Sequence, residues 1–228
     1  MKIDKINTIK TFIRHGHTSF LFQEIKRRIY SDDISLGLRR NLNKDINWTR
    51  ECSTSNIREP QSSDILSFLN VNKHRINAKE IKERLIRLAM YHSTIKTCYI
   101  VEISNSIPCH IIWVIDHKEN EKMEAFFNGG FPPLKENELL VEGVYTPPTF
   151  RGKGIMVDVL SDFIKRSARD GKRHLLCFVK YRNMPSLKGF KRVGFEPYLI
   201  KKDRWRFFRR YVSFIQLERE YLEVWEKI

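Results

Sequence analysis

The sequence predicts an α/β protein of the α+β kind, in which one mixed sheet carries helices on both faces. Three observations lead there. Short apolar, β-prone runs alternate with stretches of helical periodicity in the order βα(α)ββ(β)βαβαβ. The 228 residues are 41% hydrophobic and include 15 Phe, enough to build a core, which excludes a disordered chain. From Leu139 to Arg169 a buried strand, a basic glycine turn and an amphipathic helix follow one another directly.

Taken in order, Ser19–Tyr30 reads as a basic amphipathic helix, with Phe20, Leu21, Ile25 and Ile29 near one side and Lys26, Arg27 and Arg28 elsewhere. Such a helix packs on its own domain or on a second subunit, or lies against a membrane surface or an acidic partner. Asp32–Trp48 has little regular pattern, and the polar Cys52–Asn56 marks a boundary. The division expected is a helical extension over 1–55 and the main domain over 56–228. Ile57–Glu59 is a short strand, and Ser62–Phe68 a helix with Ser62 or Ser63 as its cap. Ile81, Leu85, Leu88 and Ala89 space Ala78–Tyr91 as a helix. Thr97–Ile103 and Pro108–Ile115 are strands joined by a turn, Asp116–Met123 is a loop, and Glu124–Gly130 adds a short strand. His174–Val179 is a strand, Ser186–Arg192 a helix and Glu196–Ile200 a strand. Arg206–Leu217 starts as β, and Leu217–Trp225 ends as helix.

The central unit carries the chemistry. Leu139–Tyr145 is apolar apart from Glu142 and Gly143, and Pro147 and Pro148 end it because proline cannot donate to a ladder. Ile155, Val157, Val159, Leu160, Phe163 and Ile164 then form an apolar helix face, with Asp158, Asp162, Lys165, Arg166 and Arg169 mostly outside it and Gly171 as the stop. The first amides of such a helix have no internal partner, its dipole is positive there, and glycines let an anion approach the backbone. Arg151–Met156 is therefore a phosphate-binding turn by its chemistry.

Those residues also carry a resemblance. Arg151, Gly154 and Met156 follow the pattern Arg-x-x-Gly-x-Gly/Ala, with Met156 where Gly or Ala is usual. CFVKYRN ends at Asn183, and Ser186–Phe195 (SLKGFKRVGF) is similar to Asn-x-x-Ala-x-x-Leu-Tyr-x-Lys-x-Gly-Phe, with Phe190 at the Tyr position. Ile57–Leu69 looks like an opening strand and first helix. Over roughly three quarters of its length the chain resembles the GNAT superfamily of N-acetyltransferases. The resemblance implies a mostly antiparallel sheet and acetyl-CoA as cosubstrate, lying where the central strand and the next one part. It implies a pyrophosphate on the backbone of Arg151, Gly152, Lys153, Gly154, Ile155 and Met156. It also implies the pantetheine beside Val144, Tyr145 and Thr146, and CoA contacts at Asn183 and Phe190.

In that scheme an amide near Val144 polarises the thioester carbonyl. An acceptor amine attacks it directly, after a base removes a proton. Glu142, two residues before that amide and on its face, is the candidate base; its alternative is a structural ion pair with a neighbouring Arg or Lys. Phenylalanine at 190 cannot reprotonate the CoA thiolate. Three routes stay open: the thiolate leaves unaided, Tyr181 or Tyr145 donates, or the chain binds acyl-CoA without transferring its group.

Composition bounds the partners. The net charge is +15, and Arg151–Arg192 holds twelve basic residues against three acidic ones, so much of the excess lies in the proposed cofactor region. That favours an anionic acceptor over a polycation. Basic and aromatic residues interleave from Lys201 to Arg210, as in nucleic-acid surfaces. Ordinary strands alternate likewise, so nucleic acid is not an expected partner; whether the chain forms a homodimer stays open. Cys52, Cys98, Cys109 and Cys177 lack metal-ligand spacing, and the histidines share no spacing with carboxylates or cysteines, so no metal is expected. No run has the roughly twenty apolar residues of a membrane span, and no signal-peptide core is present, so the expected location is the cytoplasm.

Overall fold

The structure is a computed structural model that describes residues 12–14, 17–45, 56–71, 76–103 and 107–228. Its strands are β1 (Tyr30–Asn41), β2 (Asn56–Arg58), β3 (Cys98–Ile103), β4 (Ile107–Asp116), β5 (Glu138–Tyr145), β6 (His174–Lys180), β7 (Glu196–Arg206) and β8 (Arg209–Ile215). Its helices are α1 (Thr18–Ile29), α2 (Ser62–Phe68), α3 (Ala78–Tyr91), α4 (Asn120–Phe127), α5 (Ile155–Arg169), α6 (Met184–Arg192) and α7 (Arg219–Lys227). The strands form one sheet in the order β2-β3-β4-β5-β6-β1-β7-β8. Every neighbouring pair is antiparallel except β5 and β6.

Both faces are covered, as the pattern predicts. Leu36, Val141, Val159, Phe163, Leu187, Phe195 and Trp225 belong to a core shared with α5, α6 and α7. Ile65, Phe68, Met90, Trp113, Met123, Phe126 and Leu140 belong to the opposite one, shared with α2, α3 and α4. α5 ends as expected at Gly171, whose φ of 76° places it in the left-handed region that favours glycine. Asp158, expected mostly outside the apolar face, is instead buried in the first turn of α5.

Two larger expectations are corrected. Asp32–Trp48 is not patternless: residues 32–41 lie in β1, between β6 and β7. Its Ser-Asp-Asp start reads as loop, but in the sheet Asp32 meets Arg206 of β7 at 2.9 Å, so cross-strand charge pairing takes the place of apolar alternation. Residues 30–41 thus belong to the same sheet as 56–228, although the expected division assigned them to a helical extension. Residues 46–55, with most of the expected boundary, lie outside the described residues. The second correction is 116–130: a 3-10 turn (His117–Glu119) and α4 replace a loop and a strand. Met123 and Phe126, three residues apart, are buried on one helix face. Asn128, at φ 51°, ends the helix.

Smaller differences lie at ends. α2 is preceded by Gln61, whose amide donates to Asp64 at 2.7 Å, so the cap is not Ser62 or Ser63. β7 runs on to Arg206 and returns through Phe207-Phe208 into β8.

Candidate active site

β5 and β6 pair in parallel only from Glu138↔His174 to Val141↔Cys177. Beyond Val141, residues 142–145 have no strand on that side. This is the parting that the resemblance implied, and it lies just ahead of the glycine turn. A register shift in the β4–β5 ladder, between Ile111↔Tyr145 and Trp113↔Glu142, bends β5 at the same place. Gly143 makes the bend. Its φ is 63°, and a Cβ there would collide with Trp113.

Arg87 of α3 secures the bent backbone, donating to the Gly143 carbonyl at 3.2 Å and the Val144 carbonyl at 3.0 Å while it pairs with Glu83. Glu142 lies beside the bend. By accessible area the residue is half-buried, but its carboxyl is deep enough for desolvation to push its pKa above the usual value. The Gly143 amide and the charges of Lys201 and Arg87 pull the other way. Among the described residues Glu142 makes no direct salt bridge, although Lys201 and Arg87 act on its charge. Lys201 itself is buried; its ammonium donates to the Gly130 carbonyl and sits 4.4 Å from the Phe131 ring centroid.

The turn after β5 matches the anion-site chemistry. Gly152 and Gly154 have φ of 78° and 81°, and a Cβ on Gly152 would meet nothing within 4 Å. The Val157 and Asp158 amides make the first helical bonds to the Gly154 carbonyl, so the earlier amides precede the ladder of α5. Ile155 is buried beneath the turn. The Lys153 ammonium lies 5.5 Å from the Phe150 ring centroid. The Arg151 side chain folds back, donating to the Thr146 carbonyl at 2.8 Å and Glu80 at 3.2 Å.

Met156 does not crowd the turn. It packs against Gly189 of α6, where a Cβ would collide with its Cε. Gly189 falls where the pattern Asn-x-x-Ala-x-x-Leu-Tyr has Leu. The large side chain has moved from α6 to α5, so the departure at Met156 is compensated within the core.

The remaining candidates are spread out. Phe190 is buried against Phe195, with ring centroids 5.0 Å apart, and is a core residue. Tyr181 packs on Tyr221 at 5.1 Å. The Tyr145 hydroxyl is bonded to Glu80 and to Arg84 Nε at 3.1 Å, and burial raises its pKa. Asn183 stands at the N-cap of α6 without a side-chain cap bond. The Thr146 hydroxyl bonds His110 Nδ1 at 2.7 Å.

Sequence reasoning missed Glu80, Arg84 and Arg87, which hold Tyr145, Arg151 and the bend. Their spacing of four and three residues along α3 is a legible signal, because it lines charge on the face that meets β5. It also missed His110 and Lys201, whose environments are tertiary. Glu80 and Arg84 help to line a cavity of about 530 Å³, together with Pro147, Pro148 and Phe150.

Cys98, Cys109 and Cys177 are buried, and the Cys109 thiol donates to the Val101 carbonyl at 3.3 Å. Among the described residues no cluster of His, Cys, Asp and Glu is placed to hold a metal, and no helix is long and apolar enough to cross a membrane.

Comparison with known proteins bears on this geometry. The profile of the acetyltransferase (GNAT) family matches residues 81–195, which is 115 of the 228 residues. Comparison with curated protein sequences finds no match. Among solved structures, the GCN5-related glucosamine N-acetyltransferase region of a fungal multi-domain GH3 β-N-acetylglucosaminidase superposes with a TM-score of 0.53 at 12% identity, over 81% of this chain and 22% of that one. A GNAT-family acetyltransferase from Colwellia psychrerythraea gives 0.49 at 12% identity, over 89% of this chain and 62% of its own. A GCN5-related N-acetyltransferase from Sphaerobacter thermophilus gives 0.49 at 10%, over 89% and 58%. The chain thus spans less than two thirds of the length of each. At these identities the likeness is one of fold, and the fungal region carries it. With the profile covering half the sequence and the sheet parting ahead of the glycine turn, the chain belongs to the GNAT family of acetyltransferases.

Proposed function

We propose that the protein transfers an acetyl group from acetyl-CoA to an amine of a small, anionic acceptor. The observation that carries this is the parting of β5 and β6 after Val141, directly before the glycine turn that opens α5. Amides from Arg151 to Met156 receive the pyrophosphate, and Val144 to Thr146, beyond the last pair with β6, run beside the pantetheine. Glu142 takes the proton from the attacking amine. Its raised pKa makes it a better proton acceptor than an ordinary carboxylate. The excess of basic residues from Arg151 to Arg192 supports the anionic acceptor.

No hydroxyl at position 190 returns a proton to the leaving thiolate, and the Tyr145 hydroxyl is held by Glu80 and Arg84. A thiol with a pKa of about 8.5 leaves as thiolate without an acid. Of the two tyrosines weighed as proton donor, Tyr181 remains. The missing hydroxyl at position 190 favours a second reading, an acyl-CoA-binding module without turnover. Calorimetry with CoA and thiol release from acetyl-CoA across a panel of amines separate the readings. Micromolar binding with turnover on an anionic amine supports transfer. Binding without turnover on any amine supports the module, and a flat calorimetric trace removes both.

A further inference from the structure

α1 and the β7–β8 hairpin join at their ends. The Phe207 amide donates to the Ile29 carbonyl and the Phe208 amide to the Arg28 carbonyl, both at 2.8 Å, so the hairpin tip caps the C-terminus of α1. Arg27 and Arg28 lie over the Trp205 ring at 5.9 and 5.5 Å from its centroid. The two elements present one surface. On it the tip residues Phe207 and Phe208 are 80% and 59% exposed. Ile29, Ile25 and Phe22, spaced four and three residues apart, continue the apolar stripe along α1 and are exposed too. No residue of α1 is buried.

The tip is also conformationally costly. Both residues have positive φ, 45° and 66°, as a two-residue type I′ turn requires. Asn-Gly fills such a turn without strain, whereas phenylalanine is disfavoured there. Two large exposed rings at that point serve folding poorly, which points to use at the surface.

Charge identifies what covers the patch. Each acidic side chain of α1, β1, β7 and β8 is already in an ion pair: Glu24 with Lys82, Asp32 with Arg206, Asp33 with Arg27, Glu196 with Lys44 and Asp203 with Arg210. Lys26, Arg28, Arg204 and Arg209 make no ion pair among the described residues. The patch thus offers exposed apolar side chains on elements that also carry cations without an ion pair. A second copy would bring the same cations against them, and like charges repel. Nucleobases stack on Phe and Trp but gain little from an aliphatic stripe such as Ile25 and Ile29. Apolar insertion next to cations suits the headgroup region of an anionic bilayer. We propose that the face built by α1 and the β7–β8 tip docks on anionic membrane surfaces, with Phe207 and Phe208 entering the headgroup–acyl boundary.

The test is co-sedimentation of the full chain with vesicles of phosphatidylcholine alone and of phosphatidylcholine with phosphatidylglycerol, at about 0.1 M salt, where charges are screened beyond roughly 10 Å. Binding is expected only to the anionic vesicles. Phe207→Asn with Phe208→Gly suits the turn, so the fold is kept while both rings go; its thermal midpoint should not fall, and its vesicle affinity should drop at least ten-fold. Arg204→Gln with Arg209→Gln should weaken binding about thirty-fold, equivalent to about 2 kcal/mol at ~1 kcal/mol per cation. The proposal is overturned if the wild type stays in the supernatant with anionic vesicles. It is equally overturned if the F207N/F208G variant binds them as well as the wild type. Tighter binding of a random single-stranded oligonucleotide than of vesicles, or a concentration-dependent dimer that the F207N/F208G variant abolishes, would assign the face to nucleic acid or to a second copy instead.

Discussion

Glu142 holds a carboxylate where burial opposes its charge, and that sets two expectations of opposite sense. Its folded pKa lies above its unfolded value, so the folded state binds the proton more tightly. The stability this gives is full below the unfolded pKa and is lost as pH rises through the folded one, so at neutral pH the ionised group is a burden. Glu142→Gln removes both the burden and the base. The variant should melt higher than the wild type at pH 7, while kcat/KM for acetyl transfer falls about 10²- to 10⁴-fold and the acid limb of the pH–rate profile disappears. A variant that keeps wild-type kcat/KM would show that another group takes the proton. Tyr145 makes the converse case. Its hydroxyl joins Glu80 to Arg84 and is bound on both sides. Tyr145→Phe leaves a buried carboxylate and a buried guanidinium each one partner short. Denaturant titration should show a loss of about 1–3 kcal/mol, with turnover roughly that of the wild type, since the group is structural. Turnover reduced by about two orders of magnitude or more at unchanged stability would instead make Tyr145 the missing acid, because general acid–base groups contribute on that scale.

Between elements, the exchange of bulk between α5 and α6 shows how a family pattern can be broken without loss of packing. Met156 fills space above Gly189, and neither position makes sense alone. Gly189→Leu should cost about 1–3 kcal/mol by overpacking, and Met156→Ala should lose a comparable amount by leaving a void. Together they should recover most of the loss. Urea unfolding of all four species gives the coupling, and simple additivity would mean that the two side chains do not share the space. The same pair marks the limit of what the sequence makes legible. Elements with their own periodicity, such as α3, β5 and α5, can be read directly, and so can the glycine turn, because Gly152 and Gly154 need positive φ whatever surrounds them. β1 escapes because Asp32 and Asp33 are satisfied by arginines on other elements, Arg206 of β7 and Arg27 of α1, information no strand-sized window holds. α4 escapes because only two of its residues, Met123 and Phe126, are buried. At the site, Glu142 stands out as a lone carboxylate in an apolar strand. Arg87 and Lys201 do not, since basic residues abound in this chain and only the fold selects these two.

For the molecule as a whole, the response to acid is set where the two halves of the site meet. His110 on β4 is fully buried; its Nδ1 bonds the Thr146 hydroxyl, and its Nε2 has no partner among the described residues. Burial lowers its pKa to about 3, so the folded protein keeps it neutral. Above the usual value of 6.5 both folded and unfolded chains carry it uncharged, and it has no effect on stability. As pH falls below 6.5 the unfolded chain takes up a proton that the folded one refuses, and stability declines by up to about 1.4 kcal/mol per pH unit until pH nears 3. Asp64, Asp116 and Asp203 have lowered pKa values, so their contribution is present above the usual carboxylate range and is lost only at lower pH. Glu142, with a raised pKa, works in the opposite sense and offsets part of the decline. His110, with His174, whose pKa burial also lowers, thus weakens the fold before the carboxylates do as a neutral solution is acidified. His110→Asn keeps an uncharged polar group beside Thr146 and cannot take the proton. Between about pH 6 and pH 4.5 it should lose about 1–2 kcal/mol less than the wild type, the remaining slope coming from groups such as His174, whose pKa burial also lowers. Parallel slopes for the two proteins over that range would mean that His110 is protonated in the folded state and that the cavity around it admits water.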